Sequence, residues 1–211
     1  CGCAVSGWLG QAITAIGDVV SVGQANSDAL IVRLNQSGAT LWTKTLGNNG
    51  SLVLMRGVME DASGNLVVVG SIRDNSTNDE SELVIKLDPS GNMLWSREVL
   101  PPFGSVDPAN RFNKVIINGD TIFAFGTRQN SFGSAEISIG KFSSDGNYSE
   151  FYTVGSTSPE IFCDVTMSGQ DFVISYLMGD YTGLVRLDHG ISMLASVQLT
   201  PTLGVGMLGM S

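Results

Sequence analysis

The stretch ELVIKLDPSGNMLWSREV (82–99) decides the fold, because three other stretches of this chain repeat its order of residue types. The other versions are ALIVRLNQSGATLWTKTL (29–46), EISIGKFSSDGNYSEFYTV (136–154) and GLVRLDHGISMLASVQL (183–199). Each has an apolar strand with a basic residue at its end, then a glycine-containing turn, then an outer strand. A unit of this size cannot bury its own apolar faces and must stack on its copies. The sequence therefore predicts a repeat architecture.

An apolar segment precedes each of these stretches and sets the period of the repeat. The four segments are VVSVG (19–23), LVVVG (66–70), IFAFG (122–126) and FVISY (172–176), so their last residues are 47, 56 and 50 positions apart. A shorter strand comes before each of them, at 12–17, 57–64, 114–119 and 164–169, and ends in glycine, as a tight hairpin requires. Four strands per period predict four antiparallel units, at about 12–51, 52–110, 111–160 and 161–202.

The strands of one unit differ in their patterns of polar residues. The second strands are nearly continuous in apolar residues, which indicates that both of their faces are buried. The fourth strands LWTKTL (41–46) and LWSREV (94–99) carry charges at alternate positions, which suits an outer edge that must not pair with foreign strands. Glycine in the preceding turn predicts a positive φ angle at four positions: Gly38, Gly91, Gly146 and Gly190.

The pattern KLDPSGNMLW (86–95) resembles the β-propeller repeats of large secreted bacterial proteins, and the tryptophan-containing blades of quinoprotein-like propellers. The turn SSDGNY (143–148) is similar to the Asp-box turn of sialidase-type propellers. The resemblance covers residues 12 to 200 and implies an all-β fold. This fold is a β-propeller of four-stranded antiparallel blades, with about four repeats between residues 12 and 202, or an arc of a larger propeller. The resemblance implies little about activity, because propellers carry many unrelated functions.

The two ends of the chain fall outside the four units. Residues 1–11 form an N-terminal segment. LGVGMLGMS (203–211) resembles the strand FCDVTMSG (162–169), so we expect an extra strand that begins a fifth repeat. This strand could instead close the ring on the first unit, or be donated to another subunit in an assembly.

Composition argues against several classes of protein. Apolar residues make up 43% of the 211, charged residues 15%, and the chain has 26 glycines, which suits an all-β protein with many tight turns. A net charge of −9, with only 11 scattered basic residues, argues against nucleic-acid binding, which needs clustered Lys and Arg. No apolar run approaches the ~18–20 residues that a transmembrane helix needs, so we expect no transmembrane segment.

Two kinds of side chain recur once per unit. We expect Trp42 and Trp95, with Phe151 and Leu194 as weaker counterparts, to fill the space between adjacent blades, in preference to stacking on a ligand. The other kind is charged: a basic residue near the end of each third strand and an acidic residue near its start. We expect ion pairs within or between blades, rather than a ring of cations around a channel. The basic residues are Arg33, Lys86, Lys141 and Arg186, and the acidic ones are Asp28, Glu82, Glu136 and Asp180.

No group of residues predicts catalysis, a cofactor or a metal. His189 is the only histidine and lies in a turn, where we expect it to be solvated, and no motif marks a serine or carboxylate partner. The acidic stretch RDNSTNDESE (73–82) starts with the ligand spacing of a calcium loop, but Asp79 and Ile85 replace its essential glycine and glutamate. We therefore expect a solvated connecting loop. The three cysteines lack zinc or haem spacing.

The cysteines bear on the compartment. A chain that begins Cys-Gly is what remains after a bacterial lipoprotein leader is removed, so Cys1 is a candidate for a lipid anchor at the cell surface. A disulfide between Cys3 and Cys163 would instead tie the N-terminus to the fourth unit in an oxidising compartment. Cys1 could also have no role beyond being the first residue of the sequence.

The repeat, together with the lack of a catalytic motif, favours a non-enzymatic module that is secreted or lies at the cell surface. We expect it to bind a protein partner or to assemble with itself, including as filaments. The alternatives are a fragment of a propeller enzyme, quinoprotein-like or sialidase-like, and a carbohydrate-binding propeller. A quinoprotein site would need more blades and an adjacent cysteine pair. Against a sialidase, the repeat already accounts for Arg33 and Arg186, which leaves no obvious carboxylate-binding triad.

Overall fold

The structure is a computed structural model that describes residues 7–47, 50–100, 110–130, 132–147, 149–155 and 158–199. These residues form sixteen β-strands and no helix, which confirms the all-β prediction. The first eight strands are β1 (Gly7–Ile13), β2 (Val19–Ala25), β3 (Asp28–Leu34), β4 (Thr40–Leu46), β5 (Ser51–Glu60), β6 (Leu66–Asp74), β7 (Glu80–Leu87) and β8 (Met93–Val99). The others are β9 (Arg111–Asn118), β10 (Thr121–Gln129), β11 (Ala135–Ser143), β12 (Ser149–Val154), β13 (Ile161–Ser168), β14 (Asp171–Met178), β15 (Tyr181–Leu187) and β16 (Met193–Leu199).

Each predicted unit forms one sheet, and we call the four sheets blades 1 to 4. Within each blade four consecutive strands pair antiparallel in chain order. The first strands begin earlier than the sequence predicts: β1 starts at Gly7, inside the segment 1–11, and β5 starts at Ser51. The start of β1 is hard to recognise because Gly7, Gly10 and Gln11 interrupt any apolar run. The predicted extra strand at 203–211 lies outside the described residues.

The blades pack flank to flank in chain order. The first strand of each later blade lies against the blade before it: β5 contacts β1, β2 and β3, β9 contacts β5, β6 and β7, and β13 contacts β9, β10 and β11. The first strands of neighbouring blades therefore meet on the inside of the arrangement. The fourth strands form its outer edge, and β4 and β8 alternate between exposed and half-buried residues over most of their length.

Apolar side chains between neighbouring blades form the core. One cluster joins blades 1 and 2, a second joins blades 2 and 3, and a third joins blades 3 and 4. All eight residues of β7 and the first six of β6 are buried. The burial of β6 on both faces agrees with the continuous apolar pattern of the second strands. In blade 4, β14 alternates between buried and more exposed residues, because within the described chain a neighbouring blade covers only one of its faces.

The turns between third and fourth strands follow the prediction in three blades. Gly38, Gly91 and Gly146 have φ angles of 82°, 78° and 73°. In blade 4 the prediction was wrong, since Ile191 and not Gly190 has the positive φ, of 66°. The Ile191 N–H donates to the carbonyl of Asp188 at 3.0 Å, as Gly91 does to Asp88 at 2.9 Å. The fourth turn therefore closes one residue after its glycine, and all positions beyond it shift by one.

Each first strand carries a β-bulge at the same position. The pairing with the second strand skips one residue in each blade: Leu9, Arg56, Asn113 and Cys163. Opposite three of these bulges the second strand has glycine, at Gly23, Gly70 and Gly126. A Cβ atom on Gly70 would lie 2.0 Å from the carbonyl oxygen of Leu54, so no side chain fits there. Close backbone approach therefore explains why three of the four anchor segments end in glycine.

Replacement of Gly70 by alanine should lower the free energy of unfolding by about 1–3 kcal/mol, because the backbone of β5 or β6 must shift to admit the Cβ atom. Urea denaturation followed by circular dichroism measures this loss. Gly7→Ala is the matched control, since a Cβ atom there meets no atom within 4 Å, and its effect should stay within about 0.5 kcal/mol. Equal losses in the two variants would contradict the proposed clash.

Candidate functional site

Trp42 and Trp95 join adjacent blades through a repeated contact. The Trp42 Nε1–H donates to the carbonyl of Pro89, in the turn of blade 2, at 3.0 Å, and Arg33 donates to the same oxygen at 3.1 Å. One blade further on, Trp95 and Lys86 donate to the carbonyl of Ser144 at 3.1 and 2.9 Å. A tryptophan and a cation of one blade thus share one carbonyl oxygen of the next blade. Both rings also pack against the apolar clusters.

Phe151 and Leu194 do not occupy the position of the tryptophans. Trp42 lies opposite Arg33, whereas the residues opposite Lys141 and Arg186 are Glu150 and Ala195. The Phe151 ring packs on Phe142 of its own blade, with the ring centroids 5.6 Å apart. Leu194 is exposed, and it is the residue of β16 that the pairing with β15 skips. The pairing of β4 and of β8 with their third strands skips a residue at the same position. Leu194 lies four residues after its turn glycine, as the tryptophans do, whereas Phe151 lies five residues after Gly146. In blade 4 the count fails because the turn closes at Ile191, and in blade 3 the residue four positions after the glycine is Glu150, not the aromatic Phe151.

The four repeated cations form ion pairs, but not with the predicted acidic residues. Arg33 pairs with Asp18 at 2.9 Å, Lys86 with Asp61 at 2.8 Å, Arg186 with Asp171 at 2.6 Å and Lys141 with Glu150 at 3.1 Å. The predicted partners were Asp28, Glu82, Glu136 and Asp180. They stand near or just before the start of the same third strands, whereas the cations stand near the end. The acids that do pair lie on a strand or turn next to the cation within the same blade.

Glu82 forms an ion pair between two blades. Its carboxylate is completely buried and accepts hydrogen bonds from Arg128, at 2.5 Å, and from the Ser138 hydroxyl, both in blade 3. Burial raises the pKa of Glu82, while Arg128 and Ser138 act in the opposite direction. The pair therefore holds blades 2 and 3 together in an environment that penalises an unpaired charge.

His189 and the acidic stretch 73–82 both make contacts that belong to the fold. The imidazole of His189 is exposed, but its ring centroid lies 5.2 Å from that of Phe123 in blade 3, so the expectation of a merely solvated group was incomplete. Asp74 accepts hydrogen bonds from Ser76 and from the Thr77 N–H, which closes the loop between β6 and β7. Within the described ranges no three His, Cys, Asp or Glu side chains converge as metal ligands would.

Cys1 and Cys3 lie outside the described residues, so the lipid anchor and the disulfide stay predictions. Cys163 is exposed at the bulge of β13, on an inner strand. Across the part of the chain that the structure describes, there is no helix with the length and hydropathy needed to cross a bilayer.

The outward face of blade 4 is apolar. We call it the trailing face and define it by Val173, Leu177, Leu184, Val197 and Leu199, which the register places on one side of β14, β15 and β16. Leu184 is 38% exposed and Leu199 51%, whereas the equivalent residues of blade 2, Val84 and Val99, are 0% and 7% exposed against blade 3. The positions that bury an internal blade interface therefore have no covering partner in blade 4 within the part of the chain that the structure describes.

The outward face of blade 1 has the complementary set of positions. We call it the leading face and define it by Trp8, Ile13, Val19 and Leu34. Trp8 is 51% exposed, whereas Met55 and Phe112, at the same position in blades 2 and 3, are fully buried. Inside the chain, each trailing face packs on the leading face of the next blade. One face of each kind is thus left without a neighbour among the described residues.

Comparison with known proteins agrees with this architecture. No family model matches the chain, and no curated protein matches it. One similar solved structure is a protein of Bacteroides fragilis that is provisionally described as exported. The TM-score is 0.52 at 9% identity, and the match covers 92% of this chain and 58% of that one. The WD40 domain of Toxoplasma gondii coronin is similar with a TM-score of 0.50 and 11% identity, over 94% of this chain and 45% of that one.

The chain spans roughly half the length of these two structures, and identities this low show the fold alone. Four antiparallel four-stranded sheets, packed flank to flank and similar to these proteins, confirm the predicted fold. The described residues form a β-propeller module of four blades.

Proposed function

We propose that this chain is a non-enzymatic, exported binding module that assembles with a second copy of itself, the trailing face of blade 4 packing on the leading face of blade 1 of the next copy. The observation that carries the proposal is the pair of apolar end faces, whose positions are buried wherever two blades meet inside the chain. Exposed apolar surface of this kind marks protein interaction sites. Export agrees with the description of the Bacteroides fragilis neighbour.

The internal interfaces supply a template for the contact between copies. Arg33 and Lys86 each donate to a turn carbonyl of the next blade, and their side chains are only 7% exposed. Arg186 has the same position in blade 4, keeps its pair with Asp171, and is 50% exposed. Its expected acceptor in a second copy is the carbonyl of Gln36, which stands in blade 1 where Pro89 stands in blade 2. The interface joins two different surfaces and is therefore head-to-tail.

The non-enzymatic part of the proposal is supported by the structural roles of the charged side chains. The cations that recur in each blade, and the buried Glu82–Arg128 pair, have partners that hold the blades together. Binding is then the activity that the trailing and leading faces can perform. They expose apolar area, and Arg186 adds one cation, at the positions that contact another blade inside the chain.

Sedimentation velocity over a wide range of concentrations tests the assembly. We expect a concentration-dependent species larger than the monomer, and we expect Leu184→Lys and Trp8→Lys each to abolish it, because a charge on either face prevents close packing. Leu94→Lys is the matched control, since Leu94 is as exposed but lies on the outer strand β8 of a middle blade. A monomer at every concentration, or an equal loss in Leu94→Lys, would overturn the proposal.

A mixing experiment tests the head-to-tail geometry. The Leu184→Lys variant keeps an intact leading face, and the Trp8→Lys variant keeps an intact trailing face. An equimolar mixture should therefore form a dimer through one intact interface, although each variant alone stays monomeric. A symmetric interface that used a single face twice could not be restored in this way, and monomers in the mixture would contradict the proposal.

A further inference from the structure

A cavity of about 230 Å³ lies between the first strands of blades 1, 2 and 3. Its polar lining consists of Gln11 on β1, Arg56 on β5, and Asn113 and Lys114 on β9; the other lining residues are glycine or apolar. Two cations and two amides thus face one small space, and among the described residues no acidic side chain lines it. The cavity belongs to the inner strands, and Gln11 is on the side of β1 that also carries Trp8 and Ile13.

The bulges of the first strands place Arg56 and Asn113 in this cavity. A bulge adds one residue to a strand and redirects its side chain. The four bulge residues are Leu9, Arg56, Asn113 and Cys163, so this position differs in every blade. Apolar residues recur at most positions that pack blade on blade, whereas the bulge positions carry four different chemical groups. Packing alone gives no reason for this variety.

Two of the residues that line the cavity each have a buried polar atom with no hydrogen-bond partner among the described residues. These atoms are the Nε donor of Arg56 and the Oδ1 acceptor of Asn113. Buried polar groups are nearly always paired, and an orphaned group indicates a bound water, ion or ligand. A single ligand that satisfies both atoms must present a hydrogen-bond acceptor to the Arg56 guanidinium, whose positive charge favours an anionic oxygen, and a hydrogen-bond donor to Asn113.

The charges behind Arg56 favour an anion. Three arginines, Arg56, Arg73 and Arg111, act on one buried carboxylate, that of Glu80. Burial and then the neighbouring Arg111 lower the pKa of Arg56, while Glu80 acts in the opposite direction. With Lys114, four of the 11 basic residues of a chain of net charge −9 lie in this region. A bound anion would relieve the repulsion between the arginines.

We propose that the cavity binds a small hydroxylated anion, one that carries a carboxylate or phosphate group and at least one hydroxyl group. The Arg56 guanidinium binds the anionic group through its planar fork of donors, and Lys114 adds its charge while keeping its ion pair with Asp164. The Asn113 Oδ1 accepts a hydrogen bond from the ligand hydroxyl. This site does not depend on the assembly proposed above, because its residues belong to blades 1 to 3 of a single copy.

Calorimetric titration of the full chain at low salt tests this site with three probes: tartrate, glycerol phosphate and succinate. Tartrate or glycerol phosphate should bind, and succinate, which lacks a hydroxyl, should bind at least about tenfold more weakly than tartrate. The two binding probes distinguish a carboxylate from a phosphate ligand. Absence of binding by both hydroxylated probes would overturn the proposal.

Variants separate specific binding from general charge attraction. Arg56→Gln should weaken binding about tenfold or more, and Asn113→Ala should remove the preference for tartrate over succinate. Lys44→Gln on the outer strand β4 is the control, because it changes the net charge equally and should leave the affinity unchanged. An equal loss in Lys44→Gln would overturn the site. If circular dichroism shows that Arg56→Gln is unfolded, Asn113→Ala decides the question, and a retained preference for tartrate contradicts it.

Discussion

Replacement of Arg128 by methionine should lower the free energy of unfolding by about 3–5 kcal/mol. The change removes the cation that lies 2.5 Å from the Glu82 carboxylate and leaves that charge buried between blades 2 and 3, with Ser138 as its remaining donor. Methionine preserves most of the apolar volume, so lost packing makes a small contribution. Urea denaturation at pH 7, followed by tryptophan fluorescence, measures the loss.

The double variant Glu82→Leu with Arg128→Met is the control for this prediction. It removes both charges, and it should recover most of the lost stability, because an apolar pair of similar volume avoids the desolvation of an ion pair. A double variant no more stable than Arg128→Met would show that the loss has another cause.

The pH dependence of stability gives a second test of the Glu82–Arg128 pair. Burial raises the pKa of Glu82 above its unfolded value of 4.5, and loss of Arg128 removes the main opposing influence. A carboxyl with a raised pKa stabilises the fold at pH values below its unfolded pKa, and this contribution is lost as the pH rises through the folded pKa. The loss in free energy of unfolding that Arg128→Met causes should therefore be larger at pH 7 than near pH 4.5.

The sequence predicts the strands and their order well, because those depend on local patterns. Apolar runs, hairpin glycines and the alternation in the outer strands are all visible within ten or so residues. The partner of Glu82 could not be predicted in the same way. Arg128 lies 46 residues away in the next blade, and the two meet only through the packing of two sheets. The displaced turn at Ile191 was missed as well, because Gly190 is the residue whose backbone favours a positive φ.

The candidate sites left weaker signals in the sequence. The fourth strand of blade 4, MLASVQL (193–199), lacks the charges that β4 and β8 carry, and this difference marks an outward face that is apolar. Arg56 interrupts the apolar run LVLMRGVM (52–59), and a charge inside such a strand could have been recognised. Its position in a bulge facing a cavity depends on the register with β6, which no local pattern reveals.

Replacement of Phe125 by alanine should also lower the free energy of unfolding by about 3–5 kcal/mol, and should loosen blade 4 in particular. Blades 3 and 4 lack the tryptophan contact that joins the earlier blades, since Glu150 stands at that position. A cluster of phenylalanines takes its place: the fully buried Phe125 ring lies 5.2 Å from that of Phe172 and 6.4 Å from that of Phe162, both in blade 4. Removing Phe125 leaves a cavity at the interface that supports the last blade.

Hydrogen exchange with mass spectrometry distinguishes this outcome from a general loss of stability. Amides of β13 to β16 should exchange faster in Phe125→Ala than amides of β5 to β8, because blade 4 can detach from blade 3 while blades 1 to 3 stay packed. Phe151→Ala provides the comparison, since that ring packs within blade 3 and is 42% exposed. This variant should lose much less free energy of unfolding, and the amides of blade 4 should stay protected from exchange. Uniform acceleration across all four blades in Phe125→Ala would contradict a local role. It would place the four blades in one cooperative unit, in which the phenylalanine cluster binds blade 4 as firmly as the tryptophan contacts bind the others.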